Sequence, residues 1–347
     1  MTLTSPRRPG RGRASSFSLS ESVDAYLETK AASRSPATAR TYRNALSAFQ
    51  LFLETLETDP ETLPARSAEE TWIGAFAAYL RPYAPASERL YLTAVAGWYE
   101  FLAAEDLAAV NLPLVRQLIR QRGRRPGQRL PQFPRQAIED VIAYAHRLAL
   151  QPGADEGETL RNRRDAAFLV MLADTGLRVH EACGLRRGDI DWQESRAVLI
   201  GKGNQQAVLR ISARALALLR AYLSARANLD GLSGRPMRSL PVFARHDRGA
   251  GKRILAIATG TGRAIVHQRC SEALPLELAA GITPHSFRHY FVTAVLRGSG
   301  GNLKLAQELA RHRAIAVTQR YAHLSDDELD RGYHSIFDAP AGAPVTD

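Results

Sequence analysis

Between residues 111 and 135 the chain carries seven arginines and no acidic residue, broken by Gly123, Pro126, Gly127, Pro131 and Pro134. No single helix or strand runs through such a segment, and no hydrophobic core accepts seven unpaired guanidinium groups. The run from Arg116 to Arg135 therefore reads as an exposed interdomain linker. With 347 residues there is room for a folded domain on each side of it. The expected layout is a basic arm at 1–15, a first domain at 16–110, the linker at 111–135, a second domain at 136–325, and a terminal helix and tail at 326–347.

Charge follows this division. Residues 1–15 hold four arginines and no acid, while 16–110 hold 7 basic and 13 acidic side chains. Overall, 46 Lys+Arg face 35 Asp+Glu, a net charge of +11. Arginine accounts for all but four of the basic residues, the lysines being Lys30, Lys202, Lys252 and Lys304. Two sources for the excess stay open here: a surface for a polyanion, or a GC-rich coding sequence. An acid-free linker is better explained by a nucleic-acid backbone than by a solvated tether.

Several classes are excluded. No run approaches 18 apolar residues, so no membrane span is expected. Residues 1–16 lack the apolar segment of a secretory signal. Cys183 and Cys270 are too few for a disulfide scaffold or a zinc cluster and suit buried thiols in the cytosol. A G-x-x-x-x-G-K-[ST] loop is missing, and His285-x-x-x-His289 lacks further ligands, so neither a cofactor nor a metal is expected.

Before the linker the apolar spacing is helical. Val23, Tyr26 and Leu27 lie on one helix; Tyr42, Leu46, Phe49 and Leu53 on a second, started by Ser35-Pro36. Trp72, Phe76, Tyr79 and Leu80 mark a third, and Tyr91, Val95, Trp98 and Leu102 a fourth. Four amphipathic helices predict a small bundle with these aromatics in its core. Beyond the linker, helices are expected at 136–148 and 162–173, the latter capped by Gly176. Short strands follow at 189–192, 197–200 and 207–211, with a Gly201-Lys202-Gly203-Asn204 hairpin turn. Helices resume at 213–227, 262–273, 286–296, 303–311 and 316–321. The fold class is mainly α with one small three-stranded antiparallel sheet.

Five local motifs carry chemistry: Thr175-Gly-Leu-Arg178-Val-His-Glu181, Gly201-Lys202-Gly203, His285-Ser-Phe-Arg288-His289, Arg311-His312 and Gln319-Arg-Tyr321-Ala-His323. In order and spacing they resemble the catalytic set of the tyrosine recombinase (phage integrase) family, Xer-like branch. The resemblance implies Arg178, Lys202, His285, Arg288, His312 and Tyr321 as catalytic residues, with Tyr321 the nucleophile. It makes Glu181 the buttress of Arg178, and His289 is placed beside the site. It implies a SAM-like core-binding domain before the linker and a DNA breaking-rejoining domain after it. One departure stands out: where relatives have Leu-Gly-His, this chain has Leu309-Ala310-Arg311-His312, a non-glycine at the turn.

The chemistry asks for these residue types in its own right. Metal-free phosphodiester cleavage needs positive charge around a pentacoordinate phosphorus, and arginine forks match non-bridging oxygens. A tyrosine nucleophile must lose a proton, with His285 as base. The leaving 5′-oxygen needs an acid; a retained lysine in an arginine-saturated chain, Lys202, suits that role. Singly, each has a plainer reading: Arg178 pairing with Glu181, Lys202 as a solvated turn, Tyr321 as helix surface. Arg40, Arg43, Arg120, Arg122, Arg124 and Arg125 are expected DNA-backbone contacts.

The function expected is site-specific recombination through a 3′-phosphotyrosine and a Holliday junction. Its partners are a double-stranded DNA site and, on that DNA, three further copies of the chain, which is monomeric when free; no membrane or small-molecule substrate is expected. The location is cytoplasmic, with the nucleoid. A type IB topoisomerase and a non-catalytic DNA-binding regulator are the competing readings.

Overall fold

The computed structural model describes residues 17–124, 135–200, 206–251, 253–312 and 315–319. The chain divides into two units, Met1–Gln128 and Arg129–Asp347.

In the first unit, α1 (Leu19–Ser33) begins at Ser18, whose hydroxyl accepts from the Glu21 N–H while Glu21 accepts from the Ser18 N–H. α2 (Pro36–Glu54) starts with Ser35 as cap and Pro36 in the first turn, as the spacing predicts. α3 (Thr71–Tyr79) and α4 (Pro85–Ala104) complete the four helices. Tyr26, Phe49, Phe76 and Trp98 are buried among them, Phe49 meeting Phe76 edge-on at 5.1 Å. Trp98 donates its indole N–H to Ser22 Oγ at 3.1 Å. These rings are core, as expected; Tyr79 lies at the margin and is 38% exposed.

A fifth helix, α5 (Leu112–Arg122), lies inside the segment read as linker. Asn111 caps it by accepting from the Leu114 N–H, and Pro113 stands in its first turn. Val115 is buried, and Leu118 and Ile119 pack beside it on the core of the bundle. This i, i+3, i+4 face binds α5 to α3 and α4. Arg124 extends the attachment: its Nε donates to Glu88 Oε2 at 2.5 Å and its backbone N–H to Glu88 Oε1 at 2.7 Å. Glu88 is fully buried, so Arg124, itself partly exposed, is held against the bundle by this carboxylate. Residues 125–134, the remainder of the expected linker up to Arg135, lie outside the described ones.

The second unit is built on α7 (Glu156–Thr175), buried from Ala166 through Ala173 and packed on α6 (Arg135–Leu150). α8 (Val179–Gly184) follows the Gly176 turn. The sheet comprises β1 (Ile190–Asp191), β2 (Arg196–Ile200) and β3 (Gln206–Arg210), antiparallel in the order β1-β2-β3 with Val198 opposite Val208. β1 is shorter than expected because Asp191 Oδ1 accepts the Gln193 and Glu194 N–H groups and turns the chain early. The hairpin tip, 201–205, lies outside the described residues.

Then come α9 (Ala213–Ala225), α10 (Ala227–Gly231), α11 (Thr259–Ala273), α12 (Leu276–Ala280), α13 (Pro284–Gly298), α14 (Leu303–Ala310) and α15 (Ile315–Gln319). α9 and α13 both pack on α7. Cys183 and Cys270 are buried, which pushes their thiols up to about 11 and about 12. Among the described residues no helix is long and apolar enough to cross a membrane.

Candidate active site

The site gathers where α7 ends, α13 begins and α14 ends. Gly176 terminates α7 at φ +59°, and an added Cβ would lie 2.5 Å from Phe291 Cδ1 on α13. Glycine therefore meets two demands at once, the left-handed turn and the close helix contact. Two residues on, Arg178 caps α8 and is 46% exposed at its side chain. Glu181 accepts from its backbone N–H at 2.9 Å and from Nη1 at 3.0 Å. Burial pushes the Glu181 carboxyl up, but the Arg178 N–H and the charges of Arg311 and Arg178 outweigh it, so it stays ionised below its usual range.

α13 starts at Pro284 and brings His285, Arg288 and His289 onto one face within its first turns. Arg288 is buried, with Nη1 donating to the Gly176 carbonyl and Nη2 to the Ala310 carbonyl. One guanidinium thus joins the ends of α7 and α14 and is oriented by both. His285 and His289 stack edge-on with ring centroids 4.3 Å apart.

Arg311 follows α14 at φ +56°, ψ +43°, the left-handed conformation that glycine favours. The left-handed turn expected there is present with Arg311 in it, and His312 follows directly. His312 Nδ1 lies 2.9 Å from the hydroxyl of Thr318, which is buried in α15. Burial and the positive charges of Arg288, Arg178 and Arg311 push the His312 imidazole down to about 4. His289 is pushed to about 4 by burial, His285 and Arg288; His285 is lowered by burial, Arg288 and Arg178. The shared influence of Arg178 and Arg288 on His285 and His312 marks one electropositive cluster of neutral imidazoles.

Arg178, Glu181, His285, Arg288, His289 and His312 are thus brought together, although Arg178 and Arg288 are 110 residues apart in sequence. Lys202 and Tyr321, with Arg125, lie outside the described residues; so do the terminal helix and tail expected at 326–347. Arg40 and Arg43 are exposed about one turn apart on α2. Arg120 and Arg122 are exposed on the last turn of α5, where an added Cβ on Gly74 would lie 2.7 Å from Arg122 Nη1. Arg124 is committed to Glu88. The inward side chain of Arg311, on Glu181 at 3.3 Å, has no counterpart in the sequence reading beyond the missing glycine.

The phage integrase family profile matches residues 154–328. Tyrosine recombinase XerC of Treponema denticola is 29% identical over 323 residues, covering 91% of this chain and 98% of that one. Tyrosine recombinase XerD of Mycobacterium tuberculosis is 33% identical over 232 residues, covering 66% and 67%. Among solved structures, XerH site-specific recombinase bound to palindromic difH substrate in a post-cleavage complex gives a TM-score of 0.67 at 16% identity, covering 91% and 84%. A lambda integrase dimer bound to a COC′ core site gives 0.59 at 16% identity, covering 90% and 79%. These two share the mainly helical fold. By its profile match and its relatives, the chain belongs to the phage integrase family, as an Xer-like tyrosine recombinase.

Proposed function

We propose that the protein cuts and rejoins double-stranded DNA at a defined site through a 3′-phosphotyrosine on Tyr321. The observation that carries this reading is geometric: buried Arg288 binds the carbonyls of Gly176 and Ala310, and so holds together the turn that bears Arg178, the start of α13 with His285, and the end of α14 that leads to His312. Tyr321 Oη attacks phosphorus, its proton passing to His285, as the P–O5′ bond breaks. The 5′-oxygen leaves with a proton from Lys202. Arg178 and Arg288 carry the charge that builds on the non-bridging oxygens. His312, oriented by Thr318, completes the cage. The 5′-hydroxyl of another strand then attacks the phosphotyrosine and restores a phosphodiester, so no external energy source is consumed.

In this reading residues 1–15 are a basic arm, the bundle from α1 through α5 is the core-binding domain, and 136–325 form the catalytic domain. Arg40, Arg43 and Arg120 contact the DNA backbone. The relatives XerC and XerD and the recombinase–DNA complexes support DNA as the partner. One neighbour is a lambda integrase tetramer on a Holliday junction. By analogy, four copies of this chain, monomeric when free, assemble on two duplexes in the cytoplasm, with the terminal helix expected within 326–347 docked on the next subunit.

Lys202→Arg tests the division of roles. A duplex is first selected from a random-sequence library by binding to the full chain, and nicked so that cleavage traps the adduct. Arginine is too weak an acid, its pKa exceeding about 12, so cleavage falls by about 10²–10⁴-fold. A 5′-bridging phosphorothiolate, whose sulfur leaves without a proton, restores the Lys202→Arg rate but not that of Arg178→Ala. Rescue of neither removes Lys202 as the acid.

A further inference from the structure

We propose that Arg311 is a positioning residue of this site: it takes the second oxygen of Glu181, so that the carboxylate holding Arg178 is shared by two guanidinium groups and the trio offers net positive charge to the scissile phosphate. This rests on the strand-cleaving reading above.

At φ +56° a side chain costs energy that glycine avoids, and this position after a helix is the one where glycine is commonest. Arg311 occupies it, and its side chain turns inward, only 11% exposed. Its Nη2 lies 3.3 Å from Glu181 Oε2, and its Nη1 is 3.5 Å from the Thr175 carbonyl, at the end of α7.

Arg178 Nη1 sits 3.0 Å from Glu181 Oε1. Arg178 and Glu181 alone form a neutral pair, which leaves little field for an anion. With Arg311 the same carboxylate faces two positive groups, and Arg288 hydrogen-bonds the neighbouring Ala310 carbonyl. Burial and the like charge of Arg178 hold Arg311 below the ordinary arginine value, against the pull of Glu181. A partly desolvated excess of positive charge is unfavourable until an anion arrives. The scissile phosphate is that anion.

The test uses the full chain and the selected, nicked duplex. Arg311→Gly removes the guanidinium while relieving the backbone, so thermal stability and folding move opposite to function. The expected result is an unchanged or higher Tm with single-turnover cleavage slowed at least tenfold. Arg311→Lys, which keeps the charge, recovers part of that rate. Arg311→Asn, which also tolerates φ > 0, slows cleavage as glycine does and guards against a folding artefact in either variant. Glu181→Gln combined with Arg311→Gly slows cleavage by less than the product of the two single effects, because Arg311 acts through Glu181.

Wild-type cleavage by Arg311→Gly overturns the proposal, as does a strictly multiplicative double variant. Absence of any covalent adduct with the wild-type chain would instead overturn the strand-cleaving reading itself.

Discussion

Glu181 holds Arg178 at two points, accepting from its backbone N–H at 2.9 Å and from its guanidinium at 3.0 Å. The same carboxylate thus caps α8 and aims the arginine. Glu181→Gln keeps the shape and loses the charge. Charge-assisted hydrogen bonds are roughly twice as strong as neutral ones, so cleavage is expected to fall about tenfold, equivalent to about 1.4 kcal/mol in the barrier. Affinity for the selected duplex stays nearly constant. An unaltered single-turnover rate would reduce Glu181 to a helix cap.

His312 and His289 titrate far below free imidazole, both at about 4. An unfolded chain binds these protons near pH 6.5. Between pH 6.5 and 4 the unfolded state therefore binds more protons, and the contribution of these groups to stability falls as the pH drops through that window. Above pH 6.5 it is flat. Nuclear magnetic resonance of the His312 ring in the free protein should give a midpoint near 4, and Arg178→Gln should raise it by removing a like charge. A midpoint at 6.5 in the wild type contradicts the electropositive cluster.

Arg124 and Arg120 should part company. Arg120 is exposed on α5, whereas Arg124 is spent on buried Glu88. Arg120→Gln is expected to flatten the log–log salt dependence of DNA binding by about 0.9, the value for one phosphate contact. Arg124→Gln should leave that slope in place and lower Tm, because buried Glu88 loses its charged partner and keeps only the backbone N–H of residue 124. Equal slopes for both variants would return Arg124 to the DNA surface.

Gly176→Ala attacks the junction of α7 and α13. The left-handed backbone costs an alanine about 1–2 kcal/mol, and the Cβ would press on Phe291 at 2.5 Å. Overpacking adds about 1–3 kcal/mol. Arg288, which hydrogen-bonds the Gly176 carbonyl, should lose its orientation, so both Tm and cleavage fall. A stable and fully active variant would separate the turn from the site.

Large apolar residues at helical spacing made four helices of the first unit legible, because Phe49, Phe76 and Trp98 dominate their faces. α5 is hidden by its own charge: Val115, Leu118 and Ile119 are interspersed with arginines, which mask their helical periodicity. The Glu88–Arg124 pair spans 36 positions, and no local pattern signals it. In the site, residue types and order were readable because the chemistry restricts them. The carbonyls of Gly176 and Ala310 that orient Arg288 are backbone groups with no sequence signature. Arg311 showed only as a missing glycine; the direction of its side chain comes from tertiary packing on Glu181.

The proposed chemistry turns on a covalent bond between Tyr321 and DNA. The selected duplex, nicked at successive positions along each strand, is incubated with wild-type protein and with Tyr321→Phe, and adducts are digested and sequenced by mass spectrometry. The wild type is expected to give a 3′-phosphotyrosyl peptide containing Tyr321, and Tyr321→Phe to bind DNA without any adduct. A phosphotyrosyl adduct formed by Tyr321→Phe, or one mapped to another residue, would contradict it.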